Sequence, residues 1–155
     1  MKIFLQQLWL EKLNFAYLLP QPIAIEWNHL VSSLKTIELI KITRWIFVDS
    51  LQKLFLNCFS DSSHETYVVV IYLQSVMPDD TSTSMLAGSK SRVSPIKTAS
   101  IPRLELCGCL LAAQLKAKVE QALNLQSDRI LMHTDSTISL AWIQTPLNRL
   151  KTFHC

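Results

Sequence analysis

The sequence predicts an α/β fold: a mixed sheet of three antiparallel strands plus one parallel strand, with flanking helices and a helical connector in front. Three observations carry this. Residues 67–73 (YVVVIYL) form a β-branched and aromatic run set between two further strand-like segments at short spacing, which suggests an antiparallel meander. Leu104, Cys107, Leu111, Leu115 and Val119 then recur at the helical period. Directly after that helix, residues 129–134 are short and apolar, and a strand reached through a helical crossover pairs in parallel.

Taken in order, residues 1–19 place Ile3, Phe4, Leu8, Trp9 and Leu13 at helical offsets, with Pro20 and Pro22 ending the pattern. Residues 23–40 repeat it with Trp27, Leu30, Val31, Leu34 and Ile37. Residues 42–48 read as a short strand or extended linker. These elements define a connector over residues 1–50 and a second domain over 51–155. The second domain opens with a strand at 53–59, a polar turn at 60–66 and a fully buried strand at 67–73. A loop at 76–82 leads to an edge strand at 83–93. Ser100 is the N-cap candidate of the long helix, Pro102 fits its first turn, and Asn124 and Ser127 mark its end. A last helix runs over 135–143 and stops at Pro146.

Composition narrows the class. Of 155 residues, 49% are hydrophobic and 17% charged, which excludes a disordered chain and leaves more apolar side chains than an isolated soluble domain needs. A segment of a larger polyprotein, or an oligomer, would cover that surplus. The net charge of +3 is too mild to argue nucleic-acid binding alone. Locally, Lys90, Arg92, Lys97 and Arg103 form a basic stretch with no acidic residue between Gly88 and Leu104 in the sequence, a candidate phosphate-contacting edge or simply a solvated strand edge. The 4 cysteines show no metal or disulfide spacing. Gln6 and Gln7 interrupt the N-terminal apolar run, and no run approaches the roughly 18 residues of a bilayer span. The expectation is an intracellular, cytoplasmic protein without membrane contact.

Two carboxylates need explaining. Glu105 is the only charge between Leu104 and Leu115, and it is not at the capping-box position, which Arg103 occupies. Buried there, an ionised carboxylate would cost several kcal/mol unless paired or metal-bound, although a contact with the helix dipole is the plainer alternative. Asp135 stands at the carboxyl end of the fourth strand, where open α/β sheets place functional groups, and it would equally serve as an N-cap. Asp61, directly after the first strand, is a third candidate, with an Asx turn as its plainer role. If the three converge, they offer hard oxygen ligands for one or two Mg²⁺ or Mn²⁺ ions. A serine triad from His133, Asp135 and Ser136 is disfavoured by their adjacency.

The runs SKSRVSPIKTASIPRLELCGCLLAAQL (89–115), HTDSTISLAWIQTPLNRLKTF (133–153) and FSDSSHETYVVVIYLQS (59–75) resemble the ribonuclease H-like region of Bel/Pao-type LTR-retrotransposon polyproteins. EWNHLVSSLKTIELIKITRWI (26–46) is similar to the connector that follows reverse transcriptase. The resemblance implies a ribonuclease H-like sheet and metal-binding acids at Asp61 (FSD), Glu105 (PRLEL) and Asp135 (TDS). It also implies two Mg²⁺ ions cutting the RNA strand of an RNA/DNA hybrid, with the reverse transcriptase portion of the same polyprotein as partner. Two departures set a further expectation. The pattern usually continues past residue 155 to a fourth acid and a histidine, and Val68 and Val69 stand where relatives carry Gly and Ala. A C-terminally truncated domain with impaired hydrolysis is therefore expected, the alternative being a non-catalytic nucleic-acid-binding or structural remnant.

Overall fold

Through residues 53–62 and 66–76 buried side chains alternate with more exposed ones, even where the sequence is an unbroken apolar run, and that period-2 pattern gives the sheet its covered face. The computed structural model describes residues 2–13, 16–42, 52–96, 99–124 and 127–150. They fall into two units, Met1–Thr43 and Arg44–Cys155.

In the second unit, β1 (Lys53–Ser62) pairs antiparallel with β2 (Thr66–Val76), which pairs antiparallel with β3 (Ser82–Val93). The strand β4 (Arg129–His133) joins β1 in parallel, giving the order β3-β2-β1-β4. The meander, the parallel addition and the edge position of β3 are those the sequence predicts. Two details differ. β1 runs three residues beyond the expected strand, so Asp61 belongs to the ladder opposite Val68 and is not in a turn after it. The turn is confined to residues 63–65, where the Ser63 hydroxyl accepts from the backbone N–H groups of Glu65 and Thr66.

Nor is β2 buried on both faces. Tyr67, Val69, Ile71, Leu73 and Ser75 are buried and the residues between them are not. The cause is the helix α3 (Ile101–Leu123), which covers one side of the sheet and packs Leu104, Cys107, Leu111, Ala112 and Val119 against Leu54, Leu56, Cys58, Val69, Ile71 and Leu73. Of the two valines that depart from the family pattern, Val69 is fully buried in this core while Val68, 40% exposed, lies on the other face. Bulk at Val68 therefore meets solvent.

Ser100 is the residue before α3 and its backbone is extended, but its side chain makes no capping bond; Pro102 sits in the first turn. Asn124 ends the helix in the left-handed conformation, φ 48°. Asp128 then pins the start of β4 to β1, accepting from the Leu54 N–H at 2.7 Å and donating its own N–H to the Leu54 carbonyl at 2.9 Å. Helix α4 (Thr137–Gln144) ends just before Pro146.

The first unit holds α1 (Lys2–Leu10) and α2 (Gln21–Leu34), the latter continued by a 3₁₀ turn, Lys35–Leu39. The expected helix over 1–19 is thus shorter, ending at Leu10 with Lys12 at φ 52°. Pro22 does not stop a helix but sits in the first turn of α2, where its missing N–H has no intrahelical role. Phe4 is buried and its ring lies 5.6 Å from that of Trp27. Trp9 and Leu18 are 78% and 97% exposed, part of the apolar surplus seen in the composition. The strand or linker expected at 42–48 lies, after Ile42, outside the described residues, as does Lys97.

Candidate metal centre

Three elements end at one corner of the sheet. β1 brings Asp61 in its next-to-last position, opposite Val68 of β2. β4, in register with β1 through Phe59 and His133, delivers Asp135 two residues past its end. α3 supplies Glu105 from its first two turns and backs closely onto β1 one turn later. There Gly108 lies so near that a Cβ built on it would sit 3.6 Å from the Ser60 Cβ and 3.9 Å from the Asp61 carbonyl. The result is that one carboxylate oxygen from each of Asp61, Glu105 and Asp135 lies within 4.8 Å of the others.

The plainer roles are taken by other atoms. Ser136, not Asp135, caps α4, accepting from the Ser139 N–H at 3.2 Å, which leaves the Asp135 carboxylate out of the helix. Asp61 is held by the Ser62 N–H, which donates to its Oδ1 at 2.7 Å. It makes no turn of the kind that would explain its presence.

Asp61 and Asp135 are exposed, whereas Glu105 is only 7% exposed and its Oε2 has no hydrogen-bond partner. Burial pushes the Glu105 carboxyl above the usual carboxylate range. The nearby Ser62 hydroxyl acts against the rise, though its oxygen sits outside normal hydrogen-bond geometry, and the charges of Asp135 and Asp61 add to it. An orphaned buried carboxylate oxygen facing two further acids is an unfavourable arrangement for the protein alone. It fits a hard divalent cation, since all three donors are oxygens.

The expected basic edge is divided. Lys90 and Arg92 lie on β3 opposite Val69 and Tyr67, at the end of the sheet where Asp61 also lies. Arg103 is exposed in the first turn of α3, two residues before Glu105. His133 stacks on Phe59, with ring centroids 4.6 Å apart and planes at 12°, and Tyr72 meets Phe59 edge-on at 6.2 Å. With the Ser136 hydroxyl used as a cap, nothing supports a serine triad. The aromatic group was not singled out in the sequence, because only register brings Phe59, Tyr72 and His133 side by side. Near the acids but sharing none of them, an apolar groove of about 530 Å³ runs between α3, β4 and α4, lined by Leu106, Leu110, Met132, Leu140 and Ile143 among others.

The family profile described as "Pao retrotransposon-like RNaseH-like domain" matches residues 1–136, a span that includes all three acids. No curated protein matches the chain. No helix among the described residues is long and apolar enough to cross a membrane.

Proposed function

The chain belongs to the Pao retrotransposon-like RNaseH-like domain family, and from that premise we propose that Asp61, Glu105 and Asp135 hold Mg²⁺ or Mn²⁺ for hydrolysis of the RNA strand of an RNA/DNA hybrid. The observation that carries this reading is the buried, partnerless Glu105 oxygen within a three-carboxylate cluster. Held by these three carboxylates, a hard divalent cation would supply the Lewis-acid chemistry that phosphodiester hydrolysis needs. The chain's own contribution is positioning. Glu105 is fixed by a helix packed on the sheet, while the two aspartates, at the ends of adjacent parallel strands, present their carboxylates toward solvent. Lys90, Arg92 and Arg103 supply positive charge for the phosphate backbone, and Lys97 completes the basic set in sequence. Contacts to 2′-hydroxyls would make the choice of RNA over DNA. The reverse transcriptase portion of the same polyprotein is the proposed neighbour of the connector, residues 1–50.

Calorimetric titration with Mn²⁺ tests the reading. Binding is expected in the wild type and is expected to vanish in Glu105→Gln, together with any cleavage of an RNA/DNA hybrid. Failure of the wild type to bind Mn²⁺ would sink the proposal. The placement of Lys90 and Arg92 at the Asp61 end of the sheet favours one second reading, a non-catalytic nucleic-acid-binding module. Hybrid binding that survives EDTA, weakens with salt and ignores Glu105→Gln would select it.

A further inference from the structure

Helix α4 is attached to α3 in an unusual way. Its only fully buried side chain is not apolar but Ser139, at 0% exposure, while Ile138, Leu140 and Ile143 on the same short helix are exposed. Apolar burial within the described residues therefore does little to fix where α4 begins, and hydrogen bonds take that role. The Ser139 hydroxyl donates to the Pro102 carbonyl in the first turn of α3 at 3.3 Å and accepts from the Ser136 hydroxyl at 3.0 Å. Ser136 in turn accepts from the Ser139 N–H at 3.2 Å, and its own N–H donates to the Thr134 hydroxyl at 3.3 Å. The residues on both sides of Asp135 are thus tied down. The line of bonds ends three residues before Glu105.

We infer that Ser139 is a positioning residue of the metal centre: with Ser136 it straps the Asp135 segment to the first turn of α3 and so sets the distance between Asp135 and Glu105. This rests on the proposed metal-binding reading. Its chemistry is ordinary. A ligand at the end of a strand keeps its geometry only as well as the backbone around it is held, and partners beyond the ligands themselves govern metal affinity. Alanine at position 139 would keep the Cβ but could neither donate to Pro102 nor accept from Ser136. A threonine keeps the hydroxyl.

The test uses the full chain with Glu105→Gln, Ser139→Ala and Ser139→Thr, Mn²⁺ calorimetry, and amide hydrogen exchange in EDTA. Ser139→Ala is expected to weaken Mn²⁺ binding about tenfold and to speed exchange of the amides of residues 137–140, leaving those of β1 and β2 unchanged. Ser139→Thr is expected to restore much of the affinity. A folded Ser139→Ala protein with wild-type Mn²⁺ affinity overturns the inference, even if it melts earlier, because a merely structural serine would show that pattern. Should the wild type show no Mn²⁺ binding sensitive to Glu105→Gln, the metal reading fails, and the exchange map alone decides the strap. Unchanged exchange at 137–140 would then reject it. Faster exchange would uphold the strap as a structural tie, while the positioning role falls with the metal reading. The exchange map also serves if the added methyl of Ser139→Thr prevents folding.

Discussion

The covered face of the sheet and its acidic corner are held by opposite kinds of force. Beneath α3, Leu56, Cys58, Val69, Ile71 and Leu73 are fully buried in one apolar cluster with Leu104, Cys107 and Leu111. At the corner, the described contacts are a backbone N–H on Asp61, a capping serine, a buried serine and a carboxylate oxygen with no partner. The first region is stabilised by area removed from water, about 1.5–3 kcal/mol for each fully buried aliphatic side chain. The second gains little from its own contacts and retains an unsatisfied group. The difference teaches that the fold is anchored away from its chemistry, so the two can be perturbed separately.

The largest expected effect breaks the anchored side. Ile71→Ala should destabilise by about 2–5 kcal/mol through lost burial and a cavity, whereas Val68→Ala, across the same strand on the open face, should change stability by less than about 0.5 kcal/mol. Urea denaturation of both variants measures the contrast, and similar losses would mean that the open face is covered in solution.

Next in size is Glu105→Gln in EDTA, which should stabilise the protein by about 1–3 kcal/mol at neutral pH by removing an uncompensated buried charge. Its pH dependence has a definite sign. The native state keeps the Glu105 proton to higher pH than the unfolded chain does, so wild-type stability falls as pH rises from the ordinary carboxylate range through the raised one. Thermal melts against pH should show this fall in the wild type and not in the variant. Adding Mn²⁺ should raise the melting temperature of the wild type alone.

The smallest effect sits where the two regions meet. Gly108→Ala adds a Cβ at ordinary contact distance from Ser60, so relief of the helical glycine penalty should stabilise by up to about 1 kcal/mol. A loss of stability in the same melts would show that α3 needs a closer approach to β1 than this geometry indicates.

Much of the anchored side was legible in the sequence because burial writes itself as periodicity. Leu104, Cys107, Leu111 and Val119 mark the inner face of α3, and all four are buried. A β-branched run such as YVVVIYL is consistent with burial on one face or two, and only α3 on a single side decides between them. Glu105 stood out as a lone charge among apolar neighbours. Asp61 was readable as a candidate but not as part of a strand, since Ser60, Asp61 and Ser62 have the composition of a turn, and pairing with Tyr67, Val68 and Val69 overrides that preference. Ser139 left no trace. A serine in TISLAW gains meaning only when Pro102, 37 positions earlier, comes within hydrogen-bonding distance.

The parallel pairing of β1 with β4 also sets the order in which the molecule can assemble. The β1–β2 and β2–β3 pairings close over short turns, but the Asp128–Leu54 bond that starts the β1–β4 ladder joins residues 74 apart. Closing so large a loop is slow compared with forming adjacent hairpins. During synthesis the hairpins and α3 can therefore form while Asp135 is still remote from Asp61. The three-carboxylate corner is then a late product of folding, and under the proposed metal binding the onset of a stopped-flow Mn²⁺ signal would time the docking of β4.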